Sequence, residues 1–406
     1  MSRLTACRQT GDLDGMDAAQ VAAVAVAAGS GDLEAEARAA TAAMDGAVWL
    51  PRPHGTVHPS LPGTLRRALR RLPAADSELR CRVMLALALE LYYADAPRER
   101  LALVEQGLAL ARRLGDPGLL VWACTVAWLA SWRPGTAQQR YALAHEALDA
   151  AARGDDVLSE VTAHTLVAFS AQETGRIAEM DAETARARAD AGRYRLATPL
   201  VALGWLEVPW LAMRGRFDDA ERLFAATVDL MSRTSMPQRT ESAAGTAMAL
   251  QMFRNAAGAE MASQMQALAP HSRLPLHSTI VMLLLRAGQR EQARAWYAEH
   301  GLALDSDDWY TLNNLCQAAE AAAGMGDRDL AARVYRRLAP FAGRPCSAGG
   351  AVAQAPVDAF LALAAEAAGE AALAARHADA ARALCAEWAV THTGMRLPRA
   401  ARSHGG

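Results

Sequence analysis

Lysine is absent from the 406-residue sequence, and all 42 of its basic residues are arginine. This absence excludes a phosphate-binding loop that ends in Gly-Lys-Ser/Thr, and it excludes Schiff-base chemistry and a lysine general base. With 44 acidic residues, the formal net charge is −2, so the chain has no excess of positive charge to neutralise phosphates. We therefore expect no nucleic-acid partner.

Aromatic residues, paired cysteines and long apolar runs are also scarce. Only 5% of the residues are aromatic, and the 6 cysteines are scattered without a Cys-x-x-Cys pair, so we expect reduced cysteines in the core. The apolar run Val21–Ala28 is too short to cross a bilayer. Asp12, Asp14 and Asp17 precede it, where a secretory signal would carry positive charge. We expect a cytoplasmic protein that does not enter the membrane.

What the sequence does have is alanine and a repeated pattern. The composition is 52% hydrophobic and rich in alanine, which suits close-packed helices. An alanine follows a glycine by 5 positions and an aromatic residue follows it by 9 in Gly215–Phe224, Gly288–Tyr297 and Gly326–Tyr335. This spacing is typical of tetratricopeptide hairpins, in which the alanine allows close helix packing and the aromatic fills the next turn. We predict an all-α fold, an α-solenoid of about eight tetratricopeptide-like hairpins.

Proline and glycine indicate where the organisation changes. The region Met261–Pro275 predicts a degenerate hairpin, because the interval between turn markers is shortest there, and Arg344–Gly350 predicts a break in the helices. The predicted parts are Ala-rich N-terminal helices in residues 1–46, a Pro-rich linker in 47–63, a repeat array in 64–390 and a disordered tail in 391–406.

Four stretches carry a resemblance to a known family: Ala86–Tyr93, Gly107–Pro117, Tyr335–Gly343 and Pro356–Leu361. They resemble the C-terminal helical repeat region of large bacterial signalling ATPases, including LuxR-type transcriptional regulators, over roughly Leu61 to Trp388. The resemblance implies a sensor or scaffold part that receives an inducer or a partner protein. The sequence has neither the ATPase phosphate loop nor the DNA-binding helix-turn-helix of those regulators, so we expect any signal to act through another polypeptide.

Metal-binding and catalytic patterns are weak. His54 and His58 lie in the Pro-rich stretch rather than on one rigid helical face, and no other ligand accompanies them. The acidic groups Asp155–Glu160 and Asp307–Asp308 occur at predicted helix starts, where acids act as caps and interact with the helix dipole. We therefore predict no metal and no cofactor.

Polar residues within apolar first helices are a stronger indication. His164, Glu207, Gln251 and Arg254 precede their turn glycines by 11, 8, 7 and 4 residues, which places them within an arc of about 100° of the helix surface. This spacing allows one row across three adjacent hairpins, forming a ligand groove. The alternative is that each residue is satisfied locally.

Tryptophans fall on or near the same face. Trp128 lies on the row, Trp132 lies beside it, Trp205 and Trp210 flank it, and Trp309 opens the repeat that best fits the consensus. They form either a ligand-binding surface or aromatic packing between hairpins.

We expect a non-catalytic regulatory protein that binds a partner protein or a small-molecule effector in a concave groove. The alternative is a cofactor-independent cyclase or isomerase, or a substrate chaperone, acting on an apolar metabolite between Trp128, Trp210 and Trp309. Glu207 or His164 would then be the proton donor. A closed pocket with a buried titratable group would favour the enzyme, and an open polar groove would favour the binding protein. The ends of a repeat array can also pair to form a homodimer.

Overall fold

The computed structural model describes residues 3–4, 6–7, 12–234, 236–256, 258–349 and 352–394. From Leu13 onward, the described residues form 19 α-helices and a single two-stranded sheet. The all-α fold class is therefore confirmed. Within the described ranges, no helix combines the length and the apolar character needed to cross a membrane. The six cysteines are buried and form no disulfide among the described residues.

The helices follow one another with short connections. Helices α1 to α10 are Leu13–Ser30, Leu33–Thr41, Leu61–Arg71, Glu78–Glu90, Pro97–Leu114, Pro117–Ala130, Ala137–Ala151, Val157–Glu173, Ile177–Arg193 and Ala197–Met213. Helices α11 to α19 are Phe217–Met231, Arg239–Phe253, Ala259–Leu268, His277–Arg286, Arg290–His300, Thr311–Met325, Arg328–Leu338, Val357–Ala368 and Ala371–Glu387. Strands β1 and β2 are Pro345–Ala348 and Val352–Pro356. Short 3₁₀ turns occupy Ala42–Met44, Pro134–Thr136, Ala269–His271 and Ala339–Phe341.

Helices from α4 onward are arranged as eight successive pairs, α4 with α5 through α18 with α19. In most pairs the two helices pack on each other, and the first helix also packs on the first helix of a neighbouring pair. The exception is α12 with α13, because α13 packs mainly on α14 rather than on α12. This irregular pair lies where the sequence predicts a degenerate hairpin.

The repeated pattern has a clear structural basis in the pair α16 and α17. Gly326 ends α16 with a φ of +70°. This left-handed conformation is higher in energy for a residue with a side chain than for glycine. Asp327 then caps α17 by accepting a hydrogen bond from the Leu330 backbone N–H at 2.9 Å. Ala331 is fully buried, whereas the aromatic Tyr335 is only partly buried. The alanine is therefore the tighter packing position of the pattern.

The predicted helix break after α17 contains the antiparallel strands β1 and β2, which together with Gly349 we name the inner sheet. Both strands are buried along their length, and Pro345 pairs with Pro356 while Ala348 pairs with Val352. The strands contact α8, α10, α12, α16 and α18, which are the first helices of five pairs, and they also contact α19, the second helix of the last pair. The inner sheet therefore fills part of the space between these helices.

The Pro-rich stretch expected to be a linker is folded onto the helices, and we name residues 47–63 the connector. Val48, Leu50, His54 and His58 are buried. One hydrophobic core extends from Ala37 through the connector to Val390, so the N-terminal helices, the connector and the repeats share a core.

Residues far apart in sequence meet at two places in the helical array. The Trp309 backbone N–H donates to the Tyr92 hydroxyl at 3.0 Å, which joins the start of α16 to the end of α4. At the second place, the Thr391 and His392 backbone N–H groups donate to the Met213 carbonyl at the end of α10. Thr391 and His392 of the predicted tail therefore contact α10, and the Gly394 carbonyl accepts a hydrogen bond from Arg286 of α14. The prediction for 395–406 lies outside the described residues.

Candidate functional site

A cavity lies between the connector, the first helices and the inner sheet, and we name it the tryptophan cavity. It offers about 60 Å³ to the centres of water-sized molecules, which is room for a few waters or one small apolar group. Its lining residues are Val48, Trp49, Leu50, Trp132, Phe169, Ala202, Trp205, Met236, Gln238, Ser242, Trp309, Ala348 and Gly349.

The lining is apolar and aromatic, with two polar side chains. Gln238 is committed to the connector, since its amide Nε2 donates to the Arg52 carbonyl at 3.2 Å. The Ser242 hydroxyl makes no hydrogen bond to any described residue, although the Ser242 backbone N–H donates to Gln238. No ionisable side chain belongs to the described lining. The cavity can therefore offer an apolar surface and one free hydroxyl to a ligand.

Trp132 is held in the cavity wall by bonds to the helices behind it. Its indole Nε1–H donates to Glu173 Oε1 at 2.9 Å, and its ring packs on Trp128 with centroids 4.6 Å apart. Glu173 also pairs with Arg140, Oε2 to Nη1 at 2.5 Å, and the buried Arg140 guanidinium lies 4.7 Å from the Trp128 ring centroid. These contacts restrict Trp132 to one orientation.

Trp309 forms the part of the wall next to Trp132. Its indole Nε1–H donates to the Tyr93 hydroxyl at 2.8 Å, while its ring centroid lies 6.2 Å from that of Trp132. Burial raises the pKa of Tyr93, and it raises the pKa of Tyr92 well above the ordinary value, so both phenols are neutral donors and acceptors. The two tyrosines position Trp309 from the end of α4.

Trp205 supplies a third side of the cavity from α10. It is 2% exposed and packs edge-to-face on Phe224, with centroids 6.0 Å apart. Its buried indole N–H makes no hydrogen bond among the described residues, which is uncommon for a buried indole.

The connector, which contributes Val48, Trp49 and Leu50, is anchored on both sides of the cavity. Arg52 pairs with Glu90, Nη2 to Oε1 at 2.8 Å, and with Asp17. Burial alone would lower the pKa of Arg52, but Glu90 and Asp17 reverse that effect and raise the pKa above its ordinary value. His54 contacts Asp308, Nε2 to Oδ2 at 3.0 Å. This wall is therefore fixed to α4 and to the start of α16.

The structure separates the five tryptophans that the sequence singles out. Trp132, Trp205 and Trp309 line the cavity. Trp128 lies behind Trp132, where its Nε1–H donates to Ser170 Oγ at 2.8 Å, and Trp210 donates to Gln172 Oε1 at 2.7 Å. Trp128 and Trp210 are therefore core residues that support the wall rather than part of it.

The predicted polar row does not line the cavity. His164 pairs with Glu183, and Glu207 pairs with Arg188 at 2.5 Å, so both contact α9.

The remaining members of the row lie on α12 and its C-terminal end. Arg254 pairs with Glu221 of α11 at 2.5 Å, and its guanidinium lies 4.9 Å from the Phe217 ring centroid. Gln251 is partly buried and does not line the cavity. The three charged or titratable members of the row thus join first helices to second helices instead of facing the inner sheet.

The environment of Glu207 matters because the sequence offers it as a proton donor. Burial raises the pKa of Glu207, and Arg188 opposes that shift. The Arg188 Nη2 atom lies within ion-pair distance but makes no aligned hydrogen bond. Glu207 is therefore a perturbed carboxyl, but it lies away from the cavity lining.

Several residues that line the cavity could not be predicted from the repeat pattern. Trp49 lies in the connector, Met236, Gln238 and Ser242 lie around the start of α12, and Ala348 and Gly349 lie in the inner sheet. A tryptophan inside a Pro-rich stretch is the one signal that could have indicated the connector, because exposed linkers seldom need a large apolar side chain.

No group of three or more His, Cys, Asp or Glu side chains within the described ranges could hold a metal ion. Both ring nitrogens of His54, one of the two connector histidines, already have partners, Asp308 and the Arg273 carbonyl.

In comparisons with known proteins, no family model matches the chain and no curated protein matches its sequence.

Proposed function

We propose that this protein is a non-catalytic binding protein that receives a small, uncharged, mostly apolar effector in the tryptophan cavity. The observation that carries the proposal is the lining itself, in which four tryptophans and a phenylalanine are accompanied by no ionisable side chain among the described residues. Ligand sites commonly combine apolar walls with a few polar groups that fix orientation.

The chemistry of the lining selects a neutral ligand. Moving an apolar group from water to this surface gains about 25 cal/mol for each Å² buried. A charged group would lose its hydration without meeting an opposite charge, which is strongly unfavourable. The Ser242 hydroxyl is available to one hydrogen-bonding group of the ligand, so a ring or short chain with a single oxygen fits the lining best.

The position of the cavity supports a regulatory role. It is built from the connector, from Trp132 and Trp309 outside the helices, from α8, α10 and α12, and from β1. A ligand in this place would bridge segments far apart in sequence and would stabilise their arrangement by mass action. This fits the inducer-receiving part of the signalling ATPases that the repeats resemble, with the output carried by another polypeptide.

Acid–base catalysis has less support from the geometry. A cyclase or isomerase needs a proton donor within hydrogen-bond reach of the substrate. Glu207 and His164, the two candidates from the sequence, are paired with residues of α9 and do not line the cavity. The lining favours binding over proton transfer.

The proposal is tested by calorimetric titration of the protein with acetophenone, a neutral ring with one carbonyl oxygen. We expect saturable binding at one site per chain. Ala202→Leu places a larger side chain in the cavity and is expected to abolish binding. Ala189→Leu, on the exposed surface of α9, is the matched control and should bind as the wild type does. Absence of saturable binding, or equal binding by Ala202→Leu, would overturn the proposal.

A further inference from the structure

A second apolar cavity lies directly beside the tryptophan cavity. It offers about 40 Å³ to the centres of water-sized molecules and is bounded by α12, α13, the start of α14, the start of α16 and the inner sheet. Ser242, Trp309 and Ala348 line both cavities. The partition between the cavities is therefore a single layer of side chains.

The partition is made of small or partly exposed groups. Ala348 contributes only a methyl group at the end of β1, and the Ser242 hydroxyl makes no hydrogen bond to the described residues. Trp309 is only partly buried although it belongs to both linings. A free hydroxyl at the junction is accessible from both sides.

The two cavities differ in the shape of ligand that they suit. The tryptophan cavity has flat, fixed aromatic walls, whereas the second cavity includes Met248, Met265, Leu268 and Leu276. Unbranched methionine side chains adapt to irregular and flexible groups. A ring therefore fits the first cavity, and an aliphatic chain fits the second.

The second cavity is nearly as free of charge as the first. Its ionisable groups are Glu241 and Tyr310. Glu241 accepts a hydrogen bond from Ser272 Oγ at 3.2 Å, and burial raises the pKa of Tyr310 to about 12, so the phenol is neutral. Apart from the Glu241 carboxylate, the described lining of the second cavity is uncharged, which suits a neutral ligand.

We propose that the two cavities are lobes of one binding site for an elongated neutral molecule. Its ring occupies the tryptophan cavity, its aliphatic chain extends into the second cavity, and an oxygen between them accepts a hydrogen bond from Ser242. This inference rests on the proposed function and specifies the class of effector.

Gly245 provides a way to block the second lobe alone. It lines the second cavity but not the first, and the nearest atom to an added Cβ is Val352 Cγ2 at 3.6 Å, an ordinary contact. Gly245→Leu therefore directs a side chain into the second lobe. Gly192→Leu, at an exposed position on α9 with open space around an added Cβ, is the matched control.

The experiment compares hexanophenone with acetophenone by calorimetric titration. Both ketones place a carbonyl beside the ring, and hexanophenone adds four methylene groups. Burying one methylene group contributes about 0.8 kcal/mol to the free energy of binding, which corresponds to about a fourfold increase in affinity. We expect the wild type and Gly192→Leu to bind hexanophenone at least about tenfold more tightly than acetophenone. In Gly245→Leu this ratio should fall below about threefold.

The outcomes separate the two proposals. If acetophenone binds but Gly245→Leu keeps the wild-type ratio, the second lobe is not used and the inference is overturned, while the proposed function stands. If the wild type binds neither ketone, the proposed function itself fails. Circular dichroism melting checks the fold of each variant, and Gly245→Val replaces Gly245→Leu in the same comparison if the larger variant does not fold.

The role of the hydroxyl has its own test. Ser242→Ala should lower the affinity for hexanophenone by about twofold to tenfold, the range that corresponds to the loss of one hydrogen bond. Hexylbenzene, which has a similar chain without the oxygen, should bind the variant and the wild type equally. An equal effect on both compounds would contradict the hydrogen bond to Ser242.

Discussion

The two sides of the first helices use their side chains in different ways. Towards the inner sheet they present Phe169, Trp205 and the small residues Ala202 and Ser242, which help to enclose a cavity with no charged side chain in its described lining. Towards the second helices they present His164, which contacts the Glu183 carboxylate, and Glu207 and Arg254, which form ion pairs with Arg188 and Glu221. We name these three contacts the outer pairs. A polar residue in an apolar helix therefore marks a helix–helix contact here rather than a ligand site.

The energies of the two sides should differ as well. Removing a large side chain from a close-packed core costs roughly 3–5 kcal/mol. Solvent-exposed ion pairs contribute about 0–1 kcal/mol. The outer pairs become more exposed from His164 to Arg254, whose side chain is 35% exposed. Substitutions on the inner side should therefore have the larger effects, and the following four test that difference.

Trp128→Ala should have the largest effect. Trp128 is fully buried, packs on Trp132 and lies beneath the Arg140 guanidinium. We expect a loss of about 3–5 kcal/mol in the free energy of unfolding, measured by urea denaturation. Tyr194→Ala, which removes an aromatic side chain that is 47% exposed, is the control and should change stability by less than about 0.5 kcal/mol. Similar losses in both variants would remove the distinction between the two sides.

Gly349→Ala tests whether the inner sheet shapes the cavity. Gly349 has a φ of +59°, and an added Cβ would lie 2.8 Å from Trp132 Cζ2. The left-handed conformation costs about 1–2 kcal/mol with a side chain, and the close contact should add about 1–3 kcal/mol. Affinity for acetophenone should fall because Trp132 must move.

Gly326→Ala is the matched control for that substitution. Gly326 has a φ of +70° but no atom lies within 4 Å of an added Cβ. This variant should show only the conformational cost of about 1–2 kcal/mol, with unchanged affinity. If Gly326→Ala lowers the affinity for acetophenone as much as Gly349→Ala does, the contact with Trp132 is not what shapes the cavity.

His54→Ala compares the connector with an outer pair of similar burial. The side chains of His54 and Asp308 are 10% and 12% exposed, and those of His164 and Glu183 are 12% and 9% exposed. Loss of either histidine leaves a carboxylate without one partner, which should cost about 1–3 kcal/mol by urea denaturation. Only His54→Ala should also lower the affinity for acetophenone, because His54 anchors a wall of the cavity. Equal binding losses in His54→Ala and His164→Ala would show that the connector has no special role.

The sequence predicts the helical pairs well because their signals are local. The positive φ of Gly326 and the cap formed by Asp327 follow from neighbouring residues and need no distant contact. The inner sheet is different, since its burial depends on first helices from five pairs and on α19. Nothing in the sequence of Arg344–Gly350 indicates those contacts, so the sequence predicts only a break in the helices there.

The candidate site could be predicted only in part, for a similar reason. Trp132, Trp205 and Trp309 are evident as unusual residues, but the repeat does not show that they meet. Their meeting requires contacts across the array, such as the hydrogen bond from Trp309 to Tyr93. The contribution of Trp49 requires the fold of the connector as well. Helical periodicity orders residues on one helix and gives no information about contacts between helical pairs that are far apart in sequence.

Arg254→Ala should have the smallest effect and tests the comparison from the outer side. The substitution removes a half-exposed ion pair with Glu221 and a guanidinium 4.9 Å from the Phe217 ring centroid. Each of these contacts contributes less than about 1 kcal/mol at an exposed site. We expect a stability change of about 0.5 kcal/mol by urea denaturation and no change in the affinity for acetophenone. A clear loss of affinity with unchanged stability would instead place Arg254 in a binding surface, and it would restore the polar row as the ligand groove.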